Sequence, residues 1–203
     1  MAHIALIGAS GNVGTRLLKE LAARGHQITA LARDPGKIPA QPGVTAVRGD
    51  AADGAGLSTL LAGHDAVISA LRFVGSDPAT LIGAVRASGV KRYLVVGGAG
   101  SLLVASGQRL IDQPDFPAAY KPEAAGGAAF LDALRQAGDL DWTFLSPSAL
   151  FVPGERTGKF RLGKDDLLVG EQGSSISYED FAVALADEIE RPAHVRERFT
   201  VGY

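Results

Sequence analysis

With 203 residues, 46% of them hydrophobic, the chain is sized for one domain with a substantial core, because single cores grow to roughly 250 residues before they divide. A formal charge of -2, from 20 basic and 22 acidic residues mixed along the chain, leaves no basic footprint for nucleic acid or an anionic membrane surface. The absence of cysteine excludes disulfides, thiolate metal sites and a cysteine nucleophile.

Residues 4–7 are a short apolar run ended by glycine, the pattern of a parallel strand covered on both faces. Residues 13–24 follow with Val13, Leu17, Leu18 and Leu21 on one helical face and Gly25 as the stop. The alternation continues with strands at 27–32 and 44–48, a helix at 56–62, a strand at 66–69, a helix at 79–88 and a strand at 93–96. It ends with a helix at 124–136, striped by Phe130, Leu131 and Leu134, and a sixth strand at 142–145. Strands spaced by such helices make right-handed crossovers, so the expected fold is α/β: a Rossmann-type, doubly wound parallel sheet. Beyond it, residues 158–169 alternate like a strand, 178–190 read as an amphipathic helix and 198–201 as a last strand. The expectation is one domain over residues 1–203, with residues from about 147 to 203 as a small C-terminal cap on the substrate side. Residues 97–121 and 146–157 are irregular, glycine- and proline-bearing connections that follow strands. Both therefore open at the carboxyl edge of the sheet, where ligands bind in such folds.

The N-terminal run Met1 to Ile7 has no basic start, and no segment has the ~20 apolar residues that span a bilayer, so a cytoplasmic location without membrane contact is expected. His3, His26, His64 and His194 show no metal-ligand spacing; they read as separate surface or loop residues, and no metal is expected.

Gly8, Gly11 and Gly14 stand at G-x-x-G-x-x-G spacing between the first strand and the first helix. In that setting the first glycine allows the tight turn, the second lets backbone approach a pyrophosphate and the third packs helix on strand. Gly8, Ser10, Gly11, Asn12 and Val13 are thus the candidate phosphate cradle, with the helix N-terminus supplying free N–H groups and partial positive charge. At the end of the second strand, where an acidic residue would hold a ribose 2′-hydroxyl, the chain has Leu31-Ala32-Arg33-Asp34. Arg33 either grips a 2′-phosphate, favouring NADP(H) over NAD(H), or is a solvated cation beside an Asp34 that takes the hydroxyl. Asp50 and Ala51 after the third strand are candidates for the adenine. Ser69, Ala70 and Leu71 after the fourth offer small residues where backbone passes the cofactor. Each set is equally readable as a plain strand end.

The stretches Gly8-Ala9-Ser10-Gly11-Asn12-Val13-Gly14, Leu31-Ala32-Arg33-Asp34-Pro35, Val95-Val96-Gly97-Gly98-Ala99-Gly100-Ser101, Asp141-Trp142-Thr143-Phe144-Leu145-Ser146-Pro147 and Ile176-Ser177-Tyr178-Glu179-Asp180-Phe181-Ala182 together resemble the atypical short-chain dehydrogenase/reductase superfamily. Within it the chain resembles the NADH-flavin reductase group, which is similar to NmrA-like proteins and biliverdin reductase B; Asp115 to Glu123 and Gly154 to Gly158 are the stretches particular to that group. The resemblance implies an NAD(P)H-dependent oxidoreductase acting on a flat conjugated acceptor, a flavin or quinone. It also admits a non-catalytic redox sensor or scaffold that binds the nucleotide. Gly97, Gly98, Ser148 and Ala149, with the backbone of the last two facing the nicotinamide, join the candidate cofactor contacts.

The Tyr-x-x-x-Lys pair of most short-chain dehydrogenases is missing: four residues after Tyr93, Tyr120 and Tyr178 stand Gly97, Ala124 and Ala182. By comparison with relatives, the lysine position falls near Gly126 and Gly127. Hydride transfer to a planar acceptor needs no such pair, because stacking on the nicotinamide orients the reacting atoms and solvent or a hydroxyl supplies the proton. Ser101 and Tyr120 are the candidate catalytic hydroxyls. Phe151 and Leu150 are readable as pocket or core, and Glu155 with Arg156 as a surface ion pair. The expected partners are a small planar acceptor and, at most, a second copy of the chain.

Overall fold

Strands that are apolar at nearly every position must be covered on both faces, and the chain satisfies this with two helical layers. The computed structural model describes residues 1–203. In chain order it begins β1 (His3–Ile7), α1 (Asn12–Ala23), β2 (Gln27–Ala32), β3 (Val44–Arg48), α2 (Gly54–Leu61), β4 (Ala66–Ser69), α3 (Pro78–Ser88) and β5 (Arg92–Val96). There follow α4 (Lys121–Arg135), β6 (Asp141–Pro147), β7 (Leu150–Val152), β8 (Arg161–Gly163), β9 (Ser175–Ser177), α5 (Tyr178–Glu190) and β10 (Glu197–Gly202).

Eight strands form the main sheet in the order β3-β2-β1-β4-β5-β6-β10-β8. All neighbours run parallel except β8, which is antiparallel to β10 at the edge. The order reverses between β1 and β4, and ligands in open α/β sheets bind in the crevice at such a switch point. Side chains alternate between the faces. Leu17, Leu18 and Leu21 of α1 and Phe181 and Leu185 of α5 cover one face with Ile4, Leu6 and Ile68. Leu57, Leu81, Val85, Phe130 and Leu134, from α2, α3 and α4, cover the other with Ala5, Val67 and Val95.

The doubly wound core follows the expected alternation, with boundaries moved by capping chemistry. α2 starts at Gly54 because Asp53 accepts from the Gly56 N–H. α4 starts at Lys121, three residues early, because Pro122 sits in the first turn where its missing N–H costs nothing. The cap is smaller than expected. β10 pairs with β6 through five in-register positions and α5 packs on α1, so both belong to the sandwich itself. What covers the carboxyl edge is the region between β6 and α5, where β7 and β9 pair in a separate two-stranded sheet. The alternation over residues 158–169 yields only the three-residue β8, and β7 and β9 are too short to leave a period in the sequence.

Two of the histidines are not surface groups. His26 is buried, accepting from the Ala2 N–H and lying 3.3 Å from Glu190. His194 stacks on Phe199 and meets the buried Glu188 at 2.8 Å. Both stand in loops at the amino-terminal side of the sandwich, beside carboxylates that also pair with Arg24 and Arg92. Glu155 and Arg156 do not pair with each other. Arg156 reaches Glu20 of α1 at 2.7 and 2.8 Å, and Arg24 bonds the same carboxylate, because Glu20 is the buried acceptor.

Candidate functional site

β1 ends against a turn that only glycine can make. Gly8 has φ +82, and a Cβ there would stand 2.7 Å from the Ala70 carbonyl oxygen at the end of β4. A Cβ at Gly14 would come within 2.1 Å of the Gly8 oxygen, so the third glycine lets α1 press onto its own turn. The Gly8 and Ala9 amides donate to Leu31 at the end of β2, which joins the turn to the strand that carries Arg33.

α1 has Gly11 as its N-cap, with no side-chain cap bond and no acidic residue in its first turn. The amides of Asn12, Val13 and Gly14 have no partner in the protein. By contrast α2, α3 and α5 are capped by Asp53, Asp77 and Ser177. Open amides, a helix dipole and space for close approach are what a pyrophosphate requires, so the site fits a dinucleotide.

From this turn a cleft of about 970 Å³ runs along the carboxyl edge. Ser10, Gly11, Asn12 and Val13 form one wall, and Ala70, Leu71, Gly97, Gly98, Ser148 and Ala149 also line it. Gly97 is required where β5 and β6 converge: a Cβ there would meet the Phe144 ring at 2.4 Å. The Ser148 and Ala149 amides already donate, to Val201 and to the Ser174 hydroxyl. They therefore shape the wall and are not free donors for the nicotinamide. Ser69 does not reach the cleft, being 3% exposed inside β4; in a four-residue central strand its pleat position points it into the sheet layers.

Arg33 and Asp50 lie at a second cavity of about 500 Å³, beyond the ends of β2 and β3. Ala51 lines neither cavity and packs with Val47 and Leu60 on the core. Asp34 turns back on its own chain, accepting from the Gly36 N–H at 3.2 Å and lying 3.8 Å from the Lys37 ammonium.

Of the two candidate hydroxyls, Ser101 is not at the cleft. Its Oγ accepts from Arg198 at 3.2 Å, and Arg198 is ion-paired with Asp165, so this hydroxyl ties residues 97–121 to the segment after β8. Tyr120 stands at the cleft rim, 66% exposed and directly before α4.

On α4, Gly126 and Gly127, where the resemblance puts the lysine, are covered by an aromatic ring. Gly127 is four residues after Glu123 on α4, the spacing of the missing Tyr-x-x-x-Lys. The Phe73 ring fills the hollow over Gly126 and Gly127, where added Cβ atoms would meet Phe73 at 2.9 and 3.0 Å. Phe73 then continues into the core, stacked on Phe144 with centroids 6.0 Å apart and tilted against Phe130 at 5.6 Å. Glu123 fastens this arrangement, accepting from the Phe73 N–H at 2.7 Å and the Val74 N–H at 2.9 Å, with Arg72 at 3.7 Å. Opposite, Phe151 lies edge-on to Tyr178, centroids 4.6 Å apart, and both line the cleft with Phe116 and Pro117. Sequence reasoning missed Phe73, Glu123 and Tyr178; the Gly126-Gly127 pair within an otherwise good helix was the available signal, marking a close packing partner.

The sequence profile described as NAD(P)H-binding matches residues 8–192. An uncharacterized protein of Bacillus subtilis (strain 168), YwnB, is 41% identical over 212 residues, covering 98% of this chain and 97% of that one. Among solved structures, a Burkholderia pseudomallei protein provisionally named an exported protein is 46% identical with TM-score 0.90 and full coverage of both chains. A Streptococcus pneumoniae TIGR4 protein, provisionally named an NADH-flavin reductase, is 36% identical with TM-score 0.80, covering 100% of this chain and 99% of that one. The glycine turn, the open N-terminus of α1 and the profile match over nearly the whole chain lead to one conclusion: the protein belongs to the NAD(P)H-binding family, built on a Rossmann-type fold.

Proposed function

We propose that the protein is an NAD(P)H-dependent reductase that passes hydride to a planar conjugated acceptor, a flavin or quinone, with NADP(H) preferred. The observation that carries this reading is Phe73 seated on Gly126 and Gly127, in a chain with no Tyr-x-x-x-Lys pair. A site with no lysine on α4 facing the cleft, and with the Glu123 carboxylate engaged by the Phe73 and Val74 amides, suits an acceptor whose reduced form takes its proton from water.

The residues divide the work. The free amides at the start of α1 hold the pyrophosphate, and Asp50 is placed for the adenine amino group. Arg33 is the 2′-phosphate ligand, since Asp34 is committed to the Gly36 amide. When bound, the reduced nicotinamide supplies two electrons and a proton as hydride. Phe73, Phe151 and Tyr178 hold the acceptor ring flat and exclude water from its faces, so orientation supplies the rate. The open mouth beside Tyr120 admits the water that delivers the final proton.

Steady-state oxidation of NADPH and NADH with riboflavin, FMN and small quinones, beside calorimetric titration of each nucleotide, tests the proposal. Turnover with at least one acceptor and tighter binding of NADPH are expected. Tight nucleotide binding with no turnover of any acceptor would sink the reductase and leave the redox sensor. No helix is long and apolar enough to cross a membrane. Dependence on NADPH argues for a cytoplasmic location against the exported name of the B. pseudomallei relative, and cell fractionation decides between them.

A further inference from the structure

An arginine offers five donors and a fixed charge to any nearby carboxylate or carbonyl, and one that is exposed and unpaired keeps them open to a ligand. Of the fourteen arginines in the chain, twelve meet a carboxylate or a backbone carbonyl. Arg33 and Arg48 are the two that meet nothing. They are not scattered: both line the same cavity of about 500 Å³. Arg48 is the last residue of β3, paired in register with Ala32, and Arg33 is the residue after Ala32. The Gly49 N–H donates to the Ala32 carbonyl at 3.0 Å, which holds the two strand ends together.

The cavity's two carboxylates do not answer the arginines. Asp50 accepts from the Ala52 N–H just before α2 and Asp53 from the Gly56 N–H in its first turn, each at 3.0 Å, and neither pairs with an arginine. Two guanidinium groups with ten unmatched donors, fixed on adjoining strand ends and left out of every ion pair, form a receptor for a compact dianion.

We infer that Arg48 is a specificity-determining residue, completing with Arg33 a two-arginine clamp for the 2′-phosphate of the adenosine ribose. The inference rests on the reading of the nucleotide as NADP(H) and adds a residue that no motif marks. The two arginines come from different strands, so the phosphate is gripped from two directions. The clamp discriminates by charge count: NADH offers a neutral 2′-hydroxyl to the same donors and leaves both arginines in water.

Calorimetric titration of the full chain with NADPH, NADH and 2′,5′-ADP, in the wild type and in Arg33→Ala, Arg48→Ala and Arg48→Lys, tests it. Arg48→Ala is expected to weaken NADPH and 2′,5′-ADP about tenfold, as one partly exposed charge-assisted contact allows, and to leave NADH within about twofold. Arg48→Lys, which keeps charge but not the fork, is expected to fall between. The melting temperature of Arg48→Ala should match the wild type, because the side chain makes no bond in the fold. Equal loss for NADPH and NADH, or an unchanged NADPH affinity in Arg48→Ala beside a loss in Arg33→Ala, overturns the clamp. Failure of the wild type to bind NADPH or 2′,5′-ADP overturns clamp and nucleotide preference together. Discrimination as described with no turnover of any acceptor keeps the clamp and sinks only the reductase.

Discussion

At one end of the cleft, the pyrophosphate cradle is contained in seven consecutive residues, Gly8 to Gly14, and its shape follows from backbone alone. At the other end Phe73, Glu123, Phe151 and Tyr178 arrive from the β4–α3 connection, α4, β7 and α5. The nucleotide end works by leaving groups unmade: free amides, glycines without Cβ atoms, two arginines without partners. The aromatic end, the proposed acceptor site, is built by filling space and tying it down, with an aromatic ring in a glycine hollow and a carboxylate holding two amides. A site of the first kind is broken by adding atoms, and one of the second by removing them.

The largest expected effect is therefore an addition. Gly14→Ala puts a Cβ 2.1 Å from the Gly8 oxygen and must push α1 off its turn. A stability loss of about 3 kcal/mol and loss of nucleotide binding are expected in thermal melts and titrations. A variant that melts and binds like the wild type would refute the cradle's geometry. Next comes a removal. Glu123→Ala frees the Phe73 and Val74 amides and loosens the ring wall, so the acceptor KM is expected to rise roughly tenfold while the NADPH Kd stays unchanged. An equal change in both would show that the two ends are not separable, and Glu123→Gln should restore part of the loss.

A smaller effect concerns the brace behind the nucleotide end. The hydrogen bond from Arg156, followed by that from Arg24, holds the Glu20 carboxyl below the ordinary glutamate value of 4.5 against the opposing effect of burial. A carboxyl lowered in the folded state contributes stability above 4.5 that disappears as pH falls through the lowered value. Arg156→Ala is expected to cost about 1 kcal/mol at neutral pH, because its guanidinium is half exposed, and to flatten the acid limb of a pH–melting curve. An unchanged limb would mean that Arg24 alone sustains the pair. The smallest effect is expected at Ser101, whose hydroxyl serves Arg198 and not the cleft. Ser101→Ala should leave kcat within about twofold, and a larger fall would return Ser101 to the chemistry.

The same contrast explains what could be read in the sequence. The glycine turn and the strand–helix alternation are local patterns, so spacing and period exposed them. Ser101 looked right because it follows β5 at the carboxyl edge, yet no local rule shows that its partner is Arg198, ninety-seven residues away. Arg48 reads as an ordinary strand end; only the structure shows that it lacks a partner. The cap was overestimated because an amphipathic helix and a short strand carry no mark of which layer they join. Phe73 announced itself only through the glycines that accommodate it.

The Phe73 ring has one more consequence. Because it stacks on Phe144 and tilts against Phe130, the floor of the proposed acceptor site is continuous with the hydrophobic core, and any change of shape there is also a packing defect. Selection for a new acceptor therefore has a cheap direction and a costly one. The rim residues Phe116, Pro117 and Tyr120, carried on a long connection, are free to vary and retune specificity, while the floor keeps its shape as long as the fold is to be kept.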